Sequence, residues 1–145
     1  MNRADAASRR RAREAALQML YQCDVGRASA HEAIVSYWPT HDAEEAVARP
    51  SREFANGLVR GTLGRVDEID RLLASHARNW RVERMAAIDR LILRLAVYEL
   101  LSDRDTPARV VINEALELAR TFSGDEAVAF VNGVLDAVRK ALGRE

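Results

Sequence analysis

The 145-residue sequence predicts an all-α fold: six to seven helices in two helical bundles that form one compact domain. Three observations point there. Only three prolines interrupt the chain, apolar residues recur at three- and four-residue spacing, and no convincing period-two alternation marks a strand. With 48% apolar and 30% charged residues, the composition is globular rather than disordered.

The first helix is predicted from Ser8, as N-cap, to about Val25, with Gly26 as a left-handed stop. Ala12, Ala16, Met19, Leu20 and Cys23 form its buried stripe. A short helix over Ala30–Tyr37 is closed by Trp38-Pro39. Residues 39–50, polar and small between Pro39 and Pro50, read as a loop with room for one helical turn. A third helix spans roughly Ser51–His76, with Phe54, Leu58, Val66, Ile69, Leu72 and Leu73 on its apolar face. Gly57, Gly61 and Gly64 inside it each cost about 1 kcal/mol of propensity relative to Ala. Close approach of a crossing helix explains them; a break near Gly61 is the competing reading.

After Trp80 and a turn at Val82–Met85 comes the most apolar segment, Ile88–Leu101, whose narrow polar strip suits the middle of a bundle. Thr106-Pro107 supplies an N-cap and a first helical residue for a helix reaching Thr121 or Phe122. Ser123-Gly124-Asp125-Glu126 has the form of a capping box for the last helix. Asn132-Gly133 is a hairpin signal, but Val131, Val134, Leu135 and Val138 keep helical spacing, so it is assigned to the helix, with Gly133 allowing tight packing. Residues 1–145 thus form a single domain with helical subdomains of about 1–76 and 82–145.

Charge narrows the function. Lysine plus arginine and aspartate plus glutamate both number 22, so the net charge is zero. Arg9, Arg10, Arg11 and Arg13 nevertheless crowd one end of one helix, leaving the remainder net negative. That asymmetry is the footprint of a phosphate-binding surface. A helix N-terminus there adds backbone amides for anions, and Tyr21 downstream offers a stacking face for an unpaired base. A solvated arm and an amphipathic membrane attachment remain the alternatives on these residues alone.

No catalytic constellation competes. His31, His41 and His76 lie far apart, and one cysteine makes no zinc framework, so no metal or other cofactor is expected. Cys23 faces the predicted core, while Asp67, Glu68 and Asp70, like Asp103 and Asp105, read as solvated surface. The glycines of the third helix lack the preceding strand of a phosphate loop. No apolar run approaches the roughly 20 residues of a membrane span. Arg9-Arg10 is followed by an amphipathic segment, not the apolar core of an export signal. A lone cysteine suits a reducing compartment, so a cytoplasmic protein is expected.

Several blocks carry a specific resemblance. They are Arg9-Arg10-Arg11-Ala12-Arg13-Glu14 with Leu20-Tyr21; Phe54 with Leu58-Val59-Arg60-Gly61; and Ile88 through Leu100, reading IDRLILRLAVYEL. Pro107, Val111-Ile112-Asn113-Glu114-Ala115 and Phe130-Val131-Asn132-Gly133-Val134-Leu135-Asp136 complete the set. In this order and spacing the chain resembles the NusB family of bacterial transcription antitermination factors. The resemblance implies an all-α fold of two helical subdomains and a non-enzymatic function. Members bind the boxA element of nascent RNA, more tightly with their partner NusE, a small-subunit ribosomal protein. The pair loads onto RNA polymerase with other Nus factors and suppresses termination.

Carried onto this sequence, the family pattern places Arg9, Arg10, Arg11 and Arg13 on phosphates, with Tyr21 nearby. Phe130 and Arg94 match positions on the RNA side, and Glu126 an acidic position that restrains RNA binding. Asp89 is the candidate for NusE contact. The same fold also serves as the RNA-binding domain of a larger ribosomal-RNA cytosine methyltransferase, a reading that 145 residues do not favour. A protein-interaction scaffold with incidental arginines, and a homodimer burying its own RNA or NusE surface, are the other classes.

Overall fold

The computed structural model describes residues 3–41, 49–77, 81 and 84–145. Among these there are seven helices and no strand: α1 (Arg3–Asp24), α2 (Ala30–His41), α3 (Arg49–Gly64), α4 (Val66–His76), α5 (Ala87–Ser102), α6 (Ala108–Phe122) and α7 (Asp125–Ala141). None of them is long and apolar enough to cross a membrane. The chain divides into two compact units, Met1–Leu63 and Gly64–Glu145. The division falls at the end of α3 rather than in 77–81, because α4 packs with α5 and α7. Trp80, Val82, Glu83 and residues 42–48 of the expected loop lie outside the described residues.

In the N-terminal unit, α1 begins at Arg3, so Ser8 is interior to the helix and caps nothing. Ala12, Ala16, Met19 and Leu20 are buried as expected, joined by Ala15 and Leu17, while Cys23 is half-buried. The left-handed residue after α1 is Arg27 (φ 57°), three residues past the last helical one, and not Gly26. Gly26 is required for another reason: a Cβ there would sit 2.8 Å from the Gln22 carbonyl oxygen.

A capping box does occur, but at α2. The Ser29 Oγ accepts from the Glu32 amide and the Glu32 carboxylate accepts from the Ser29 amide, each at 3.0 Å. The helix then continues through Pro39 to His41 instead of closing at Trp38. Pro39 forfeits one backbone bond, but side chains hold the next carbonyls: Thr40 Oγ1 donates to Ser36 O at 2.9 Å, and His41 Nδ1 lies 2.8 Å from Tyr37 O. The two buried aromatics of α2 are anchored by their polar tips. Tyr37 donates to Gln18 of α1 at 2.7 Å, and Trp38 Nε1 to Asn56 of α3 at 2.8 Å.

The expected single helix over Ser51–His76 starts at Arg49 and is two helices, broken at Arg65 (φ −118°, ψ 20°) rather than Gly61. Asp67 and Glu68 in the next turn favour a new start, since carboxylates suit a helix N-terminus. The Arg65 guanidinium grips Glu68 with two bonds of 2.9 and 3.0 Å. The close-packing explanation for the glycines fails at three positions. A Cβ on Gly57, Gly64 or Gly133 would meet nothing within 4 Å among the described residues.

In the C-terminal unit α5 and α7 each pack against the other three helices, and α5, the more buried of the two, is the hub. Leu91, Ile92, Leu93, Leu95, Ala96, Val97 and Leu100 are all buried. Thr106 does not cap α6: Pro107 holds that position, and Thr106 Oγ1 donates to Asp103 Oδ2 at 2.6 Å. Asp103 Oδ1 meanwhile accepts the amides of Asp105 and Thr106 at 3.0 and 3.1 Å, shaping the turn. The expected box at Ser123–Glu126 is also absent. Gly124 (φ 150°) is the N-cap of α7 and no side chain bonds there, because Ser123 Oγ donates to Asp89 Oδ1 at 2.6 Å. Asn132 and Gly133 lie within α7 as expected.

The C-terminus ends in a clasp. Gly143 (φ 68°) turns the chain, and the buried Arg144 donates to Leu100 O at 2.6 Å and Thr106 O at 2.7 Å. Arg144→Ala strips both carbonyls of their partner and is expected to lower stability by about 2–3 kcal/mol, read by urea unfolding. At α2, the amide and hydroxyl of Ser29 hold the Glu32 carboxyl below its ordinary range. Ionised Glu32 therefore steadies the start of α2 above that range, and the gain is lost as pH falls through the depressed folded value. Ser29→Ala should move the Glu32 titration, followed by carbon-detected NMR, back toward the ordinary carboxylate position.

Candidate nucleic-acid interface

The sequence-predicted site residues fall on both units, and the structure gives them different duties. On α1, the four arginines lie well inside a helix that starts at Arg3, so no free helix-end amides accompany them. Arg10 and Arg11 are exposed. Arg9 is half-buried, its Cζ over the Phe54 ring of α3 at 3.9 Å from the centroid. Arg13 is only 5% exposed, its Cζ 5.6 Å from the same centroid, so it serves the packed side of α1 rather than a solvent-facing phosphate. Tyr21 is 39% exposed. Eleven residues make about three turns, which puts Tyr21 on the face of Arg10, roughly 16 Å along the axis.

Cys23, farther along α1, offers no reactive thiol. Burial, and secondarily Glu32, raise its pKa and so keep it protonated. Among the described residues no group of three or more His, Cys, Asp or Glu is placed to hold a metal ion.

In the C-terminal unit, Asp89, Glu126 and Phe130 line one cleft of about 740 Å³ between the starts of α5 and α7. Ser123, bonded to Asp89, closes one wall, and Arg84 and Met85 another. Glu126 is exposed and Phe130 half-buried. Among the described residues, Asp89, Asp125 and Glu126 against Arg84 make the cleft lining net acidic. Phe130 also borders a groove of about 600 Å³ lined by His76, Ala77, Gly133 and Val134, so its ring serves two surfaces.

Arg94 is engaged within the C-terminal unit. Its Nε and Nη2 each donate to a carboxylate oxygen of Asp70 at 2.8 Å, a bidentate pair that ties α5 to α4. The side chains of Arg94 and Asp70 are 16% and 32% exposed, so the guanidinium fork is largely withdrawn from solvent and occupied. Sequence reasoning missed three participants: Phe54 beneath Arg9, Ser123 against Asp89, and Asp70 against Arg94. The first two contacts join residues more than thirty positions apart, and no local pattern announces them.

Seven helices among the described residues, led by a first helix rich in arginine, define an all-α protein whose candidate site includes a cationic helix surface. The NusB family model matches residues 10–140, and this chain belongs to the NusB family. A relative, the transcription antitermination protein NusB of Solibacter usitatus (strain Ellin6076), is 52% identical over 137 residues, covering 94% of this chain and 91% of its own. Among solved structures, NusB of T. maritima superposes with a TM-score of 0.79 at 32% identity, over 91% of this chain and 90% of that one. A crystal structure of the antitermination factors NusB and NusE in complex with double-stranded RNA contains a chain that matches with a TM-score of 0.83. It is 27% identical, over 93% of this chain and 98% of that one. The family is one of antitermination factors, not enzymes.

The Arg94–Asp70 pair makes a structural prediction. Arg94→Ala and Asp70→Asn should each lower stability by about 1–3 kcal/mol in urea unfolding, and the double variant by little more than either alone.

Proposed function

We propose that this chain is an RNA-binding antitermination factor that, with NusE, binds the boxA element of nascent ribosomal RNA. There it helps suppress termination by RNA polymerase, in company with other Nus factors. The observation that carries the proposal is the grouping of Arg10 and Arg11, exposed, beside ring-held Arg9 on a chain of zero net charge. The solved NusB–NusE–RNA assembly of a related fold supports it.

In this reading Arg9, Arg10 and Arg11 contact phosphates, which position an RNA without reading it. Arg13 backs them from the packed side of α1. Tyr21 and Phe130 stack on unpaired bases, where sequence is read in single strands. Glu126 repels phosphate and holds down the affinity of the protein alone. Asp89, fixed by Ser123 in the cleft, contacts NusE.

Fluorescence anisotropy of a labelled boxA-like RNA, titrated with and without NusE and against a scrambled RNA, tests the proposal. Binding should prefer boxA and strengthen with NusE. It should collapse in the Arg9/Arg10/Arg11→Ala variant and tighten in Glu126→Gln. Three phosphate contacts predict a log–log salt slope of about −2 for single-stranded RNA. Equal weak binding to both RNAs with a flat salt dependence would instead favour a protein-interaction scaffold.

A further inference from the structure

Arg9 and Arg94 are both half-buried, yet they are held in opposite ways. Asp70 takes Arg94 by its N–H edge, through two hydrogen bonds of 2.8 Å. Phe54 takes Arg9 by its face, with Cζ 3.9 Å from the ring centroid. A guanidinium's donors lie in its own plane and point outward along its edge. A carboxylate partner therefore consumes the donors, whereas an aromatic partner leaves them available for an oxyanion. We infer that Phe54 is a positioning residue for phosphate binding: its ring fixes the Arg9 guanidinium beside Arg10 and Arg11 while leaving the donor edge free to engage RNA. The inference rests on the RNA-binding reading above.

The placement of Phe54 fits that role. It stands on α3, whose buried stripe is Ala55, Leu58, Val59 and Thr62, and is itself only half-buried. The ring thus reaches out of the packed face of α3 toward α1, where it has Arg9 at 3.9 Å and Arg13 at 5.6 Å. Arg9 and Arg13 are four residues apart, one helical turn, so a single ring serves both. An arginine free in water gives up rotamer freedom when it binds a phosphate, and one already laid on a ring has less to lose.

A double-mutant cycle on the full chain tests this, using a fluorescein-labelled single-stranded boxA-like RNA as the probe. The proteins are wild type, F54L, R9A, the F54L/R9A double variant and F54Y. F54L keeps apolar bulk and removes the ring; F54Y keeps the ring. Phe54 acting through Arg9 predicts that F54L weakens RNA binding roughly two- to fivefold, from the strength of a partly exposed cation–π contact. It predicts no further loss when F54L is added to R9A, and affinity near wild type in F54Y. Thermal unfolding monitors each variant, and a general structural role would weaken R9A and wild type alike.

An equal loss from F54L in both backgrounds overturns the inference, as does an unchanged affinity in F54L when R9A binds weakly. R9A binding as tightly as wild type also overturns it, and an Arg10/Arg11→Ala variant then shows how far the failure reaches. Loss of binding in that variant leaves the RNA reading standing without Phe54; no loss removes both.

Discussion

The C-terminal unit is organised by a helix that leaves only a narrow, half-buried strip to water. Leu91, Ile92 and Leu93 are consecutive and all essentially buried, so their side chains fan over most of the circumference of α5. Each such residue contributes roughly 1.5–3 kcal/mol if covered. Covering it requires neighbours on several sides, which α4, α6 and α7 supply. The same enclosure creates a polar problem at the C-terminal end of α5, where carbonyls without helix partners are shielded from solvent. Asp103 N answers one at Glu99 O, and the Arg144 clasp another at Leu100 O. The break at Arg65 fits the same constraint, because the helix that starts there supplies Ile69, Leu73 and Asp70 to the C-terminal unit.

Arginine is the other recurring device, and its planar geometry lets one residue type do three things. Arg144 reaches two backbone carbonyls, Arg94 forks a carboxylate, and Arg9 lies against a ring. The first two uses spend the donors inside the fold. The third, a contact with a ring, consumes no donor, so the partner of an arginine is a better guide to its function than its place in a basic run.

That distinction explains what was legible in the sequence. The hub helix and α7 could be read directly, because burial writes a long periodic pattern that even Asn132-Gly133 did not interrupt. The two-helix nature of residues 49–76 was obscured, since Ile69 and Leu73 continue the spacing of Leu58 closely enough to hide a one-residue break. Caps were misplaced where a hydroxyl had a better acceptor: Ser123 chose Asp89 and Thr106 chose Asp103. At the site, the sequence showed four clustered arginines but could not rank them. Burial of Arg13 and the ring under Arg9 depend on α3, some forty residues away. The cleft that gathers Asp89, Glu126 and Phe130 was reached only through family resemblance: Glu126 and Phe130 share a helical face, but no local spacing joins them to Asp89 on α5.

Zero net charge bears on how an RNA-binding role would work. Counterion release scales with the number of phosphates neutralised, and three exposed or half-exposed arginines give only a shallow dependence. The rest of the chain contributes no long-range attraction, and the cleft beside Phe130 carries Asp89, Asp125 and Glu126. In the proposed role, a protein arranged this way would gain little from phosphate contacts alone, which would limit capture of unrelated transcripts. Affinity must then come from unpaired bases that stack correctly and from a partner that adds surface of its own. In the proposed role, discrimination would follow from that weakness: an RNA lacking the matching bases would gain too little from the arginines alone to compete with one that stacks, and the partner would widen the margin.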